Sequence, residues 1–246
     1  MLLFTFSVSF SALAEETIRL TNGEWKPYQS KTLKYYGVAS RIVTEAFALE
    51  GVKVEYKFRP WKRAFIEAKL GKFDGSLIWA KVAQREKNFY FSDVVIIGRS
   101  TFFHLKSYPF NWETFDDLQG LEVGGTLGYS YAFDEGEWKG KFKISRVPKD
   151  EQNFAKLLRK RIQIVPVDLN VGYLILHEQF KPEEVQLITH HPKAYFSSSY
   201  HLILSKKVKR NKLLIKKFNK GLIRLRESGK YDQFITESLG GDISNN

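Results

Sequence analysis

From Gly124 to Ser130 the chain reads Gly-Gly-Thr-Leu-Gly-Tyr-Ser, a glycine-rich turn that follows an apolar strand pattern. A turn of this kind offers free backbone N–H groups to an anion, and a helix starting beyond it adds the positive end of its dipole. Gly128, Tyr129 and Ser130 are its candidate contacts. The turn has neither the Gly-Lys-Ser/Thr ending of a nucleotide phosphate loop nor the spacing of a dinucleotide fingerprint, so nucleotide binding is not expected. Asp168 closes the apolar run 162–167, at a strand end where α/β sheets place their ligand contacts. Ionised there, it would pair with a cationic group. The position suits a helix N-cap for residues 169–179 equally well, and both roles can hold together. The five histidines show no metal-ligand spacing, and His190-His191-Pro192 reads as a turn, so no metal is expected. No nucleophile elbow or paired-carboxylate hydrolase pattern is present, and no cofactor is expected.

Composition narrows the classes further. With 246 residues, 43% of them apolar and 15% aromatic, the chain fits one large domain or two smaller lobes and excludes a disordered or collagen-like protein. Cysteine is absent, which removes disulfides, thiolate metal sites, a cysteine nucleophile and an acylated N-terminal cysteine anchor. The net charge of +12 would ordinarily raise nucleic acid or an anionic membrane as partner. Between Ser205 and Lys230, however, eleven basic residues stand against one acid, leaving about +2 for the rest. Val208, Leu213, Leu214, Ile215, Phe218, Leu222 and Leu225 recur there at helical spacing. The segment reads first as an amphipathic helix docked by its apolar stripe with its lysines in water; a membrane-surface or nucleic-acid face is the alternative. No nucleic-acid-binding motif accompanies it, and nucleic acid is not an expected partner.

The first fourteen residues carry no charge and end in Ala12-Leu13-Ala14, the pattern of a secretory signal core and cleavage site, although no Lys or Arg precedes the apolar run. The expectation is export to the periplasm, with a mature chain starting at Glu15. From there strand and helix patterns alternate. Residues 18–21 read as a strand, and 38–49 as a helix stopped by Gly51. Residues 52–59 alternate strictly, as a half-buried strand does. Pro60 opens a helix lined by Trp61, Ala64, Phe65 and Ala68, and 76–79 is a further strand. This βαβα order predicts an α/β lobe with a largely parallel sheet. The middle repeats the theme: a strand over 121–125, a helix from near Tyr129, a helix capped by Asp150, a strand over 162–167 and a helix through Val171, Leu174 and Ile175. Two β-rich runs, 94–105 and 195–204, bracket this block and are candidates for crossings between lobes.

Several strings in order resemble one family: Trp25-Lys-Pro27-Tyr28, Gly37-Val-Ala-Ser-Arg-Ile-Val43, Pro60-Trp61-Lys-Arg63, Gly71-Lys-Phe-Asp74-Gly75, Arg85 through Phe91-Ser92-Asp93, and Asp117-Leu118-Gln-Gly120. They are similar to those of the extracytoplasmic solute-binding proteins of polar amino-acid ABC importers, family 3, with a type II periplasmic-binding fold. The resemblance spans nearly the whole mature chain. It implies two α/β lobes joined by two crossover hinge segments: residues 15–103 with 198–246 as the first lobe, 104–197 as the second. It also implies a cleft that closes on its ligand, a monomer, and an inner-membrane ABC permease as partner.

The resemblance assigns roles as well. Arg85, six residues before Phe91-Ser92-Asp93, stands where the family grips the ligand's α-carboxylate; a guanidinium fork matches two carboxylate oxygens. Taken alone, Arg85 reads as a surface arginine paired with Glu86 or another acid. Ser130 falls where the family places a hydroxyl against that carboxylate, and Trp25 where it stacks a ring on the ligand. Trp61 recurs in one branch of the family as a second aromatic wall; plain core packing is the other reading for both tryptophans. Two departures stand out. Ala80 replaces the usual Ser or Thr five residues before the arginine, and Lys160-Arg161-Ile162-Gln163 replaces Gly-Arg-x-Asp. The expected function is a non-enzymatic receptor for a small zwitterion, an amino acid or a derivative. The alternatives are a cyclohexadienyl or prephenate dehydratase-like enzyme, which needs an acid in the cleft, and a ligand-sensing subunit for a membrane receptor.

Overall fold

The structure, a computed structural model, describes residues 16–127, 131–134 and 136–239. The leader expected over residues 1–14 and the contacts expected from Gly128, Tyr129 and Ser130 lie outside the described residues.

The chain opens with β1 (Glu16–Asn22), α1 (Val38–Ala48), β2 (Val52–Phe58), α2 (Trp61–Lys69) and β3 (Gly75–Ala80). β1 pairs in parallel with both β2 and β3, as the alternating order requires. A single turn, α3 (Ala83–Glu86), then leads into β4 (Phe89–Leu105), which is 17 residues long. The middle block holds β5 (Glu122–Thr126), β6 (Lys143–Val147), α4 (Asp150–Leu158), β7 (Val165–Asp168), α5 (Leu169–Gln179), α6 (Pro182–Val185) and β8 (Ile188–His190). The chain returns through β9 (Phe196–Ser205), α7 (Asn211–Glu227) and α8 (Lys230–Leu239).

β4 and β9 are the two crossings. One end of β4 pairs with β9 and the other with β7 and β8, all antiparallel, so one sheet runs β2-β1-β3-β9-β4-β7 through both lobes. The sheet is therefore mixed, and parallel only over β2-β1-β3, because strands that carry the chain out and back must oppose each other. At the crossing itself Ile97, Gly98 and Arg99 face Ser199, Ser198 and Ser197.

Buried residues sort into separate cores on either side of this crossing. Ile18, Leu20, Ile42, Phe47, Leu77 and Phe218 belong to one. Phe103, Phe154, Leu157, Val165 and Leu176 form a second, and Phe102, Trp112, Leu118 and Phe133 a neighbouring third. The apolar stripe of α7 is its docked face, with Leu214, Phe218 and Leu222 fully buried. Its lysines and arginines point outward, where Lys220 and Arg224 share Glu50. With both cations largely in water, these pairs add little stability.

Asp74 contributes more. It is 5% exposed, takes Arg210 Nη2 at 2.9 and 2.8 Å and accepts the Arg19 N–H at 2.9 Å, tying β1, β3 and the start of α7 together. Asp74→Ala strands these donors, and we expect a loss of about 2 kcal/mol in urea unfolding; an unchanged midpoint would show that Arg210 finds water instead.

Two local expectations are corrected. In place of an α-helix after Tyr129, the described residues form short 3-10 turns at Ala132–Asp134 and Gly136–Trp138. Tyr131 and Phe133, two apart, are both buried and stack on each other at 5.4 Å, a spacing that a helix would split between opposite faces. Asp150 is the first residue of α4, not its cap, since Lys149 holds the extended cap conformation. The Asp150 carboxylate instead accepts the Thr126 hydroxyl.

Candidate functional site

A cavity of about 620 Å³ is walled by Trp25 and Trp61 on one side and by Pro166, Val167 and Asp168 on the other. Its size is that of a small-molecule site. Trp25 sits in a loop closed by two hydrogen bonds, Trp25 N–H to Gln29 O at 2.8 Å and Gln29 N–H to Trp25 O at 2.9 Å. Its ring packs on Tyr28 at 4.6 Å and edge-on to Tyr200, from β9, at 5.2 Å. Trp61 begins α2, donates Nε1–H to Glu24 O at 3.3 Å and meets Trp79 edge-on. Both expected ring walls thus reach the cavity.

Asp168 reaches it too, and is also the N-cap of α5. Its Oδ1 accepts the N–H groups of Asn170 and Val171 at 3.1 and 3.2 Å. The same oxygen accepts the Tyr28 hydroxyl at 2.8 Å, and Asn170 Nδ2 donates to that hydroxyl at 2.8 Å, so the loop after β1 is stitched to the start of α5. Burial pushes the Asp168 carboxyl up to about 6, against the pull of these donors. Burial likewise pushes the Tyr28 hydroxyl far up, with Asp168 adding to the effect, so it stays a neutral donor. Gly98 on β4 makes the arrangement possible: a methyl there would come within 2.7 Å of the Tyr200 ring and 3.2 Å of Asp168 Oδ2.

The β3 wall is strained. Ile78 lines the cavity with φ of 61°, a region that β-branched residues rarely enter, at the point where the β3–β9 register shifts. Strain of this kind collects where a fold must aim a surface at a ligand.

Arg85 departs from its expected place. Its guanidinium donates Nη1–H to Ala80 O at 2.7 Å and lies over the Trp79 ring at 5.0 Å. There it borders a second, smaller cavity of about 240 Å³ with Phe65, Lys69 and Asn88. Trp79, on which it lies, meets the cavity residue Trp61 edge-on at 5.4 Å. The physical reason is local: a one-turn helix after Ala80 swings the side chain back onto the end of its own strand.

Residues that sequence reasoning passed over complete the wall: Ser100, Tyr131, Asp150, Tyr195, Phe196 and Tyr200. Four of the six lie in or beside the two expected crossings, which was the available signal. Among the described residues no three His, Cys, Asp or Glu side chains gather as a metal site, and no helix is long and apolar enough to cross a membrane.

With this geometry in hand, comparisons with known proteins become informative. The model for bacterial extracellular solute-binding proteins, family 3, matches residues 20–240. Comparison with curated protein sequences finds no match. Among solved structures, substrate-binding domain 2 of Lactococcus lactis GlnP, in an open conformation, superposes with a TM-score of 0.72 at 18% identity, covering 93% of this chain and 97% of that one. The second substrate-binding domain of a putative amino-acid ABC transporter from Streptococcus pneumoniae gives 0.71 at 19% identity, covering 92% and 100%. A histidine kinase sensor domain similar to periplasmic binding proteins gives 0.67 at 19% identity, covering 92% and 97%. Identities this low carry the two-lobed fold and nothing finer.

Proposed function

Because the chain belongs to the bacterial extracellular solute-binding proteins of family 3, we propose that it captures a small amine-bearing solute, an amino acid or derivative, between its lobes. Delivery is to an ABC importer from the periplasm, by a monomer that performs no chemistry. One observation carries this reading: a carboxylate, Asp168, set into the wall of an aromatic cavity of about 620 Å³. Trp25 and Trp61 act as ring walls and Asp168 as the ammonium partner, with Gly128, Tyr129 and Ser130 expected beside them from the turn after β5. Residues 15–103 with 198–246 and residues 104–197 are the two bodies that close about β4 and β9. Arg85, expected from the resemblance to grip a carboxylate, is left out of this reading because it borders the smaller cavity and gives one N–H to Ala80 O.

Isothermal titration of the purified chain against the twenty amino acids and their common derivatives tests the reading, with at least one micromolar ligand expected. Silence across the panel would remove it.

A second reading, a dehydratase-like enzyme on the same scaffold, gains one point from the structure. A carboxyl titrating at about 6 inside the cavity is what protonation of a leaving hydroxyl requires. Asp168 Oδ1 is already filled by three donors, however, which favours a binding role. Incubation with prephenate is expected to leave phenylpyruvate absorbance flat; a rise abolished by Asp168→Asn would establish the enzyme. A sensor in place of a permease downstream draws support from the kinase sensor domain of the same fold, and would use the same cavity.

A further inference from the structure

The cavity's chemistry is one-sided. Its described lining includes six aromatic side chains and two carboxylates, Asp150 and Asp168, and no lysine, arginine or histidine. Three cations outside this lining have partners of their own, one of them against the wall residue Tyr131. Arg85 is on Ala80 O and over the Trp79 ring, and Lys26 pairs with Glu178 at 3.3 Å. Arg146 lies over the Tyr131 ring at 5.4 Å and donates to Thr126 O at 3.1 Å. Ala80 carries no hydroxyl to replace a missing carboxylate donor.

Aromatic faces are electron-rich and attract cations, best when water is excluded, and a buried carboxylate adds a full charge. Both reject a ligand carboxylate, which would lie against them without a compensating guanidinium. Around Asp168 the faces are close together: Trp25 and Tyr200 meet edge-on at 5.2 Å, and Gly98 lets Tyr200 approach the carboxylate.

Resting on the reading of this cavity as the solute site, we infer that the ligand is an organic ammonium ion with an apolar or flat body, recognised through its cationic end, and that a carboxylate on it is dispensable. Asp168 holds the ammonium, and Trp25, Trp61 and Tyr200 enclose it. The free amine is therefore bound at least as tightly as the amino acid that carries the same side chain. An uncharged N-acetyl derivative is not held.

The experiment titrates the full purified chain with matched pairs: tyrosine and tyramine, tryptophan and tryptamine, arginine and agmatine, lysine and cadaverine. Heat and intrinsic tryptophan fluorescence are read together, the second because Trp25 and Trp61 line the cavity. The expected result is that in at least one pair the amine binds as tightly as its parent or up to tenfold tighter, and that N-acetylation weakens it more than a hundredfold. Amino acids that bind while their amines are tenfold weaker or worse would overturn the inference and leave the receptor reading intact. No binding by any member of any pair would overturn the inference, and the receptor reading falls with it only if the full panel of twenty amino acids is silent too.

Discussion

Gly221→Ala is expected to destabilise the protein by about 3 kcal/mol, although alanine is the better helix former by about 1 kcal/mol. Gly221 lies in α7 where that helix crosses α1. A methyl built on it would stand 1.9 Å from the Ala46 carbonyl oxygen and 2.8 Å from its carbon. Those atoms are backbone and cannot rotate away, so the helices must part, opening the contacts of Phe218 and Leu222 on either side. Phe218 packs on Phe47 at 5.1 Å, within the same core. The comparison variant is Ile223→Ala on the exposed face of α7, where a change within about 0.5 kcal/mol is expected. Urea unfolding followed by far-ultraviolet dichroism measures both. A Gly221→Ala chain as stable as its parent would mean that α7 does not press this closely on α1, and the return of the chain to the first lobe would need another basis.

Gly221 illustrates what could and could not be read from the sequence. The amphipathic stripe of α7 was plain from Leu214, Phe218 and Leu222, because a docked helix shows its period. The partner of that stripe, and the need for glycine at one point on it, depend on how two distant segments meet. The same holds for β4 and β9. Their β-rich composition and their place between two α/β blocks marked them as crossings, but the antiparallel pairing that makes one continuous sheet of both lobes is a property of the assembled chain. The stretch after β5 reads as a helix from its sequence, yet Tyr131 and Phe133 bury alternate residues there and the described residues form only short 3-10 turns.

The site divides in the same way. Asp168 was legible because it closes one regular element and caps the next, a position fixed by local structure. Trp25, in a loop, and Trp61 were picked out only through the family resemblance, and both rings line the cavity. Arg85 occupies its motif position, yet its side chain is long and its direction is set by the single turn of α3 and by its hydrogen bond to the Ala80 carbonyl. Spacing locates a Cα; it does not aim five further rotatable atoms. Tyr28 was quoted only as part of a motif, while the structure makes it the hydroxyl that joins the first-lobe loop to Asp168.

Replacing that aspartate separates function from stability. Asparagine caps a helix as well as aspartate does and still accepts from Tyr28, so the local fold survives Asp168→Asn. What disappears is a buried charge. In the folded chain the Asp168 carboxyl titrates at about 6, against an ordinary value of 3.8. Between those values this carboxyl holds more proton in the folded state than in the unfolded one, so its own contribution to stability falls by roughly 3 kcal/mol as pH rises from roughly 4 to 6. Glu50, Glu67, Asp117 and Glu237, held down by their hydrogen-bond donors, act in the opposite direction and are common to parent and variant. Tyr28 donates its hydroxyl to the carboxylate, while the Tyr195 and Tyr200 hydroxyls bond Ser100 and Ser198 and feel the Asp168 charge; burial pushes all three up, so they stay neutral throughout. Asp168→Asn should erase this slope and leave the protein at least as stable as its parent at pH 7. Affinity moves the other way: an ammonium ligand should bind about a hundredfold more weakly to the variant at pH 7. For the parent, affinity should weaken as pH drops below about 6, where Asp168 takes up its proton. Thermal unfolding from pH 4 to 8, with and without the tightest ligand found, measures both trends. A variant that keeps full affinity would remove Asp168 from the ligand, and a parent that gains stability relative to the Asp168→Asn variant as pH rises across that window would show the carboxylate to be stabilised by its donors more than burial penalises it.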